Sequence, residues 1–103
     1  MSVTPAERPR HGAEEIPGLD ELADALLTLR DRDELERFLR DLCTLGELEA
    51  LAHRWQIVRL LDQSLPYLEI ARRVHTSTAT VTRVAQWLHH GMGGYRLALS
   101  RTR

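Results

Sequence analysis

A chain of 103 residues has room for one small domain with a modest core, so burial against a partner is expected to add to it. Its single cysteine, Cys43, excludes an intramolecular disulfide, and no CxxC or Cys/His cluster is present to hold a structural zinc. The net charge of −1 conceals a division: residues 66–103 carry six arginines against Glu69 alone, a net of +5, whereas the first 65 residues come to −6. A basic end on an acidic body is what a nucleic-acid contact needs, most effectively when two copies act together. All fourteen basic residues are arginine, which suits bidentate contacts to phosphate or guanine, although a base-composition bias in the encoding genome gives the same outcome.

The opening MSVTPAERPRHGAEEIPG lacks an apolar h-region, and no uninterrupted apolar run could cross a bilayer. Neither secretion nor membrane contact is expected, and the chain is placed in the cytoplasm. Residues 1–17, with Pro5, Pro9 and Pro17 amid mixed charges, are expected to form a disordered arm, leaving 18–103 as the folded domain.

From Leu19 the pattern turns helical. Leu19, Leu22, Ala23, Leu26 and Leu27 share a face, with Asp20, Glu21 and Asp24 near the N-terminal dipole end, which predicts a helix to about Arg30. Asp31 or Asp33 then caps a second helix that carries Leu35, Phe38, Leu39 and Leu42 on one side. Thr44-Leu45-Gly46-Glu47 is a capping box, in which the Thr hydroxyl and the Glu carboxylate each satisfy an orphan N–H. It opens the longest helix, with Leu48, Leu51, Ala52, Trp55, Val58 and Leu61 in register to about Asp62. Ile57 and Leu60 widen that stripe beyond what one-sided packing requires, which predicts a second copy as partner.

The stretch 66–90 reads as two helices around a tight turn. Leu68, Ile70, Ala71 and Val74 give the first near-helical spacing, and Pro66 suits its start. Thr76 or Ser77 caps the second, which begins near Thr78 and buries Val81, Val84, Ala85 and Leu88 while turning Thr78, Ala79, Thr82, Arg83 and Gln86 outward. This is a helix-turn-helix pattern, whose second helix enters the major groove. Ala79 and the Thr methyls are small enough to approach thymine methyls, the hydroxyls of Thr76, Ser77, Thr78, Thr80 and Thr82 can bond phosphates or bases, and Arg83 can reach phosphate or guanine. Arg72, on the preceding helix, joins this candidate DNA surface. Ser and Thr favour helix starts in any case, but five hydroxyls in seven positions exceed what a cap needs.

Beyond Leu88, the run His89-His90-Gly91-Met92-Gly93-Gly94 breaks the helix, and Tyr95 to Arg101 predicts a last short one. Its Tyr95, Leu97, Ala98 and Leu99 have no evident place in so small a chain, which again predicts a homodimer whose two reading heads match a palindromic site. Catalysis and metal binding find no support. His89 and His90 point about 100° apart rather than sharing the i, i+4 face of a chelating pair, and Cys43 reads as a small core residue on the inner face of the second helix. His53 and His75 complete the candidates, and no catalytic residue and no cofactor is assigned.

The strings RFLRDLCTLGELEALAHRWQIVRLL, YLEIARRVHTSTATVTRVAQWL and GMGGYRLAL, in this order, resemble the Trp repressor superfamily, and within it the TrpR-related proteins of the YerC/YecD type. The resemblance spans roughly residues 19–100. It implies an all-α fold of six helices, an intertwined homodimer, and a sequence-specific DNA-binding regulator, in the repressing sense, acting on double-stranded DNA. Trp repressors are themselves among the proteins that define the docking geometry invoked above, so that geometry is inherited with the resemblance. It further implies Thr78 and Ala79 near base edges, with Thr80, Thr82 and Gln86 at bases or phosphates. Tyr67, Leu68 and Ala71 replace long polar side chains of the tryptophan-responsive members, whose contacts there do not carry over. Arg54 and Arg83 match the two arginines that flank the indole of a bound tryptophan, but Val84 and Trp87 replace a glycine and a serine of that pocket. Their bulk, with Trp87 as an internal plug, predicts that tryptophan is not the effector. Pairing of the two arginines with Glu47, Asp62 or phosphate is the plainer alternative. A different class of function also fits: a helical dimeric protein-interaction adaptor that retains the helix-turn-helix as scaffold.

Overall fold

A computed structural model describes residues 15–103. All but the last three positions of the expected N-terminal arm lie outside the described residues. Six helices follow in order: α1 (Leu19–Leu27), α2 (Arg32–Leu42), α3 (Leu45–Asp62), α4 (Tyr67–Arg73), α5 (Thr78–His90) and α6 (Gly94–Thr102).

The helix starts follow from local chemistry. Asp31 accepts from the Glu34 N–H at 2.9 Å and begins α2, so Asp31 rather than Asp33 is the cap. At α3 the reciprocal box is complete, with Thr44 Oγ1 accepting from the Glu47 N–H at 3.1 Å and Glu47 Oε1 accepting from the Thr44 N–H at 2.7 Å. Thr44→Ala removes half of it and is expected to cost about 1 kcal/mol, read as a fall of about 4–8 °C in Tm. The first helix is shorter than its pattern suggested. Thr28 turns both its N–H and its hydroxyl onto the Ala25 carbonyl, at 3.1 and 2.6 Å, and the chain must become extended by Asp31 to cap α2.

Two helix ends are stabilised by non-glycine residues in the left-handed region. At the close of α3, Ser64 (φ 63°) lets the Leu65 N–H reach the Leu60 carbonyl and its own N–H reach that of Leu61. At the close of α4, His75 (φ 56°) lets the Thr76 N–H reach the Ala71 carbonyl at 2.9 Å. These two turns fold α4 back onto α3 and then α5 onto α4.

The core lies entirely in α3 to α6. Ile57 and Val58 of α3, Ile70 and Ala71 of α4, Val81, Val84 and Leu88 of α5 and Leu99 of α6 are buried together. Two expectations are corrected here. The breadth at Ile57 and Leu60 is used within the chain, because α3 meets α4, α5 and α6 and both residues pack in or against their common core. Likewise Leu99 is buried and Tyr95 packs against the core, with its ring 6.4 Å from that of Trp55, so α6 is only partly unpartnered. Arg103 fastens its end, donating through Nε (3.1 Å) and Nη2 to the two carboxylate oxygens of Asp62, and this hydrogen bonding holds the Asp62 carboxyl below its ordinary pKa.

Nothing in α1 or α2 is buried. Leu19, Leu27, Leu35 and Leu42 are exposed, as are Leu45 and Leu51 in the first half of α3. Cys43 is a further correction: it lies past the end of α2 in extended backbone, half-buried, because the α2 stripe ends at Leu42.

Candidate nucleic-acid interface

Helix α5 is held by one stripe and offered by the other. Val81, Val84, Ala85 and Leu88 are buried, while Ser77, Thr78, Ala79, Thr82, Arg83 and Gln86 are exposed. Thr76 and Thr80 are half-buried. Ser77, rather than Thr76, is the cap: its Oγ accepts from the Thr80 N–H at 3.1 Å and lies 3.0 Å from the Thr80 hydroxyl. Thr82 donates its hydroxyl to the Thr78 carbonyl at 2.9 Å. Thr82 thus spends its proton within the helix, and Ser77 and Thr80 share one hydroxyl bond that leaves one of the two an O–H donor. The hydroxyls of Thr76 and Thr78 have no side-chain bond among the described residues. No acid stands in the first turn of α5, so its positive dipole end is unopposed from within the helix.

Arg72 stands in the last turn of α4, just before the turn into α5, and is not free. Glu69 takes a guanidinium nitrogen of Arg72 on Oε1 and Arg73 Nε on Oε2, the latter at 2.9 Å. Hydrogen bonds from Arg73 and then Arg72 hold the Glu69 carboxyl below its ordinary pKa. The i, i+3 and i, i+4 spacing of this trio is the helical pairing pattern, legible in the sequence itself.

Arg54 and Arg83, on α3 and α5, do line one hollow. It is an open pocket of about 650 Å³ shared with Thr80, Val84, Trp87, Gly91, Met92, Gly94 and Tyr95. Neither arginine makes an ion pair among the described residues: Asp62 is engaged by Arg103, and Glu47 completes the α3 cap. The plainer pairing with those two acids is therefore not realised. The internal plug is not realised either, since Trp87 is 62% exposed and borders the hollow instead of filling it. The contribution of the following turn and of α6 went unforeseen, because no periodicity places a glycine-rich turn. Gly91 is required there: a Cβ on it would stand 2.4 Å from the Trp87 carbonyl oxygen. Arg96 donates to His89 Nδ1 at 3.0 Å and braces α6 against the end of α5.

Of His53, His75, His89, His90 and Cys43 only the His89 and His90 rings meet, edge to face at 6.3 Å, and no group of three or more metal-ligating side chains occurs among the described residues. No helix among those residues is long and apolar enough to cross a membrane.

Known proteins resemble this chain in sequence and fold. Residues 17–103 match the family described as Trp repressor protein. The protein YerC of Bacillus subtilis, itself uncharacterized, is 39% identical over 85 residues, 82% of each chain. A Trp operon repressor homolog of Haemophilus influenzae is 39% identical over 54 residues, 52% of this chain and 54% of its own. The crystal structure of a TrpR-like protein from Eubacterium eligens aligns at a TM-score of 0.79 and 34% identity, covering 85% of this chain and 91% of that one. A Staphylococcus aureus structure provisionally described as a Trp repressor aligns at 0.78 and 39%, covering 85% and 88%. The chain is an all-α, TrpR-related protein of the YerC type, and it belongs to the Trp repressor family.

Proposed function

We propose that this protein is a sequence-specific DNA-binding transcriptional regulator, a repressor, working as a homodimer through α4 and α5. The observation that carries the reading is the exposed start of α5. Small and hydroxyl side chains with one arginine are presented on a helix whose other face is locked into the core, and the segment around it is net positive. In this reading Thr78 and Ala79 approach base edges, Thr76, Ser77, Thr80, Thr82 and Gln86 serve bases or phosphates, and Arg72 and Arg83 reach phosphate or guanine. The uncovered apolar side chains of α1, α2 and the start of α3 are the surface on which two copies pair, and pairing supplies the two-fold spacing that a palindromic operator needs.

Selection from random duplexes at low salt tests the reading. An enriched palindrome, bound with an affinity that falls steeply as salt releases counterions, is the expected result. A pool without enrichment overturns it and leaves the adaptor account in its place.

Free tryptophan is not the effector in this reading. The hollow at Arg54 and Arg83 has room for a ring, so the reason lies in its walls, where Val84 and Trp87 stand in place of the smaller residues of a tryptophan-responsive pocket. Calorimetric titration with tryptophan is expected to show no saturable binding at micromolar concentration, and operator affinity is expected not to change when tryptophan is added. Saturable binding would overturn this point alone.

A further inference from the structure

Glu69 is the only acid in residues 63–103, and it lies between two of the six arginines that make that segment basic. Its two carboxylate oxygens divide the work, one receiving Arg72 and the other Arg73 Nε at 2.9 Å. All three side chains lie on the side of α4 away from buried Ile70 and Ala71. They occupy its last turns, immediately before the turn that leads to Ser77 and the exposed start of α5. A planar anion accepting from two guanidinium groups reproduces what a DNA phosphate offers those same groups.

We infer that Glu69 is a resident phosphate surrogate: it occupies Arg72 and Arg73 in the free protein, and the nucleic-acid backbone must displace it to engage them. The inference rests on the DNA-binding reading above and adds a built-in limit on affinity. The carboxylate cancels one positive charge at the edge of the interface and draws one guanidinium nitrogen of each arginine onto itself. Non-specific attraction to any duplex is thereby held down, while a correctly placed phosphate, reinforced by base contacts from α5, can win the exchange. Loss of Glu69 should strengthen binding to all sequences by a similar factor, wrong ones included, because the backbone term carries no sequence information.

The test compares the full chain with Glu69→Gln, Arg72→Ala/Arg73→Ala and the triple variant, on a selected duplex and on a scrambled one, across a salt series. Glutamine keeps the shape of the side chain, and helical circular dichroism checks that each variant is folded. Glu69→Gln is expected to bind the scrambled duplex about 10-fold more tightly and to steepen the dependence of log affinity on log salt by about 0.9 for each phosphate newly engaged. In the background without the two arginines the gain is expected to disappear, since the carboxylate acts through them. A gain that persists there reduces Glu69 to a distant charge and overturns the inference. Weaker binding by Glu69→Gln overturns it too, by making the carboxylate a positioner of the arginines for DNA. If neither wild type nor Glu69→Gln binds any duplex, the DNA-binding reading itself falls. Normal wild-type binding with an unchanged variant sinks only the surrogate.

Discussion

Ala79→Glu is expected to abolish sequence-specific DNA binding, weakening it by about 100-fold or more, while leaving the fold intact. Ala79 is exposed in the first turn of α5, where a carboxylate is favourable to the helix dipole and meets no packed neighbour of the core. Melting temperature is therefore expected to hold or to rise slightly. On the DNA, the same carboxylate is thrust toward phosphates and acceptor-rich base edges, and such like-charge contacts cost several kcal/mol, about 1.4 kcal/mol for each factor of ten. A two-fold pair suffers the penalty in both halves. Gel-shift titration beside a thermal melt separates the two effects. Retained operator binding by a folded Ala79→Glu protein would remove α5 from the groove.

Leu42→Arg is expected to split the pair. In an isolated chain the change is nearly silent, because Leu42 is 51% exposed at the end of α2, where a cation suits the helix terminus, and surface changes of this kind stay within about 0.5 kcal/mol. At an interface the outcome reverses. Burial of a leucine contributes about 1.5–3 kcal/mol, a two-fold interface loses it twice, and a guanidinium is left to be desolvated. The dimer dissociation constant should rise by at least about 100-fold, measured by sedimentation equilibrium. A dimer of unchanged affinity would place the contact elsewhere. A wild-type chain that sediments as a monomer at high concentration would refute the pairing itself.

The architecture was legible where a single helix carries its own evidence. The Thr44–Glu47 box, the cap at Asp31 and the buried stripe from Val81 to Leu88 are local patterns, and the structure realises them. What periodicity could not assign is which neighbour each apolar face meets. Ile57 and Leu60 read as surplus until α6 is seen to return beside α3, a contact across some 40 residues that no window of sequence contains. Trp87 illustrates the same limit for the site. Its bulk was readable, but its direction depends on the end of α5 and on Gly91, whose missing side chain lets the chain turn against the Trp87 carbonyl. The two arginines of the hollow were placed correctly on α3 and α5, whereas Tyr95 and Met92 were supplied by the part of the chain with the weakest pattern.

Helix α3 belongs to both halves of the molecule. Its later residues, Ile57 and Val58, are sealed among the reading helices, and its first turns, with Leu45 and Leu51, stand bare beside α1 and α2. Eighteen residues at 1.5 Å each make it a strut of about 27 Å. In the proposed two-fold pair, its length would be a gauge of operator spacing. One residue inserted at its middle would swing the reading end by about 100° around the strut axis, misphasing both heads against the turns of the duplex. Operator spacing is therefore expected to tolerate sequence drift along α3 but no change in its residue count.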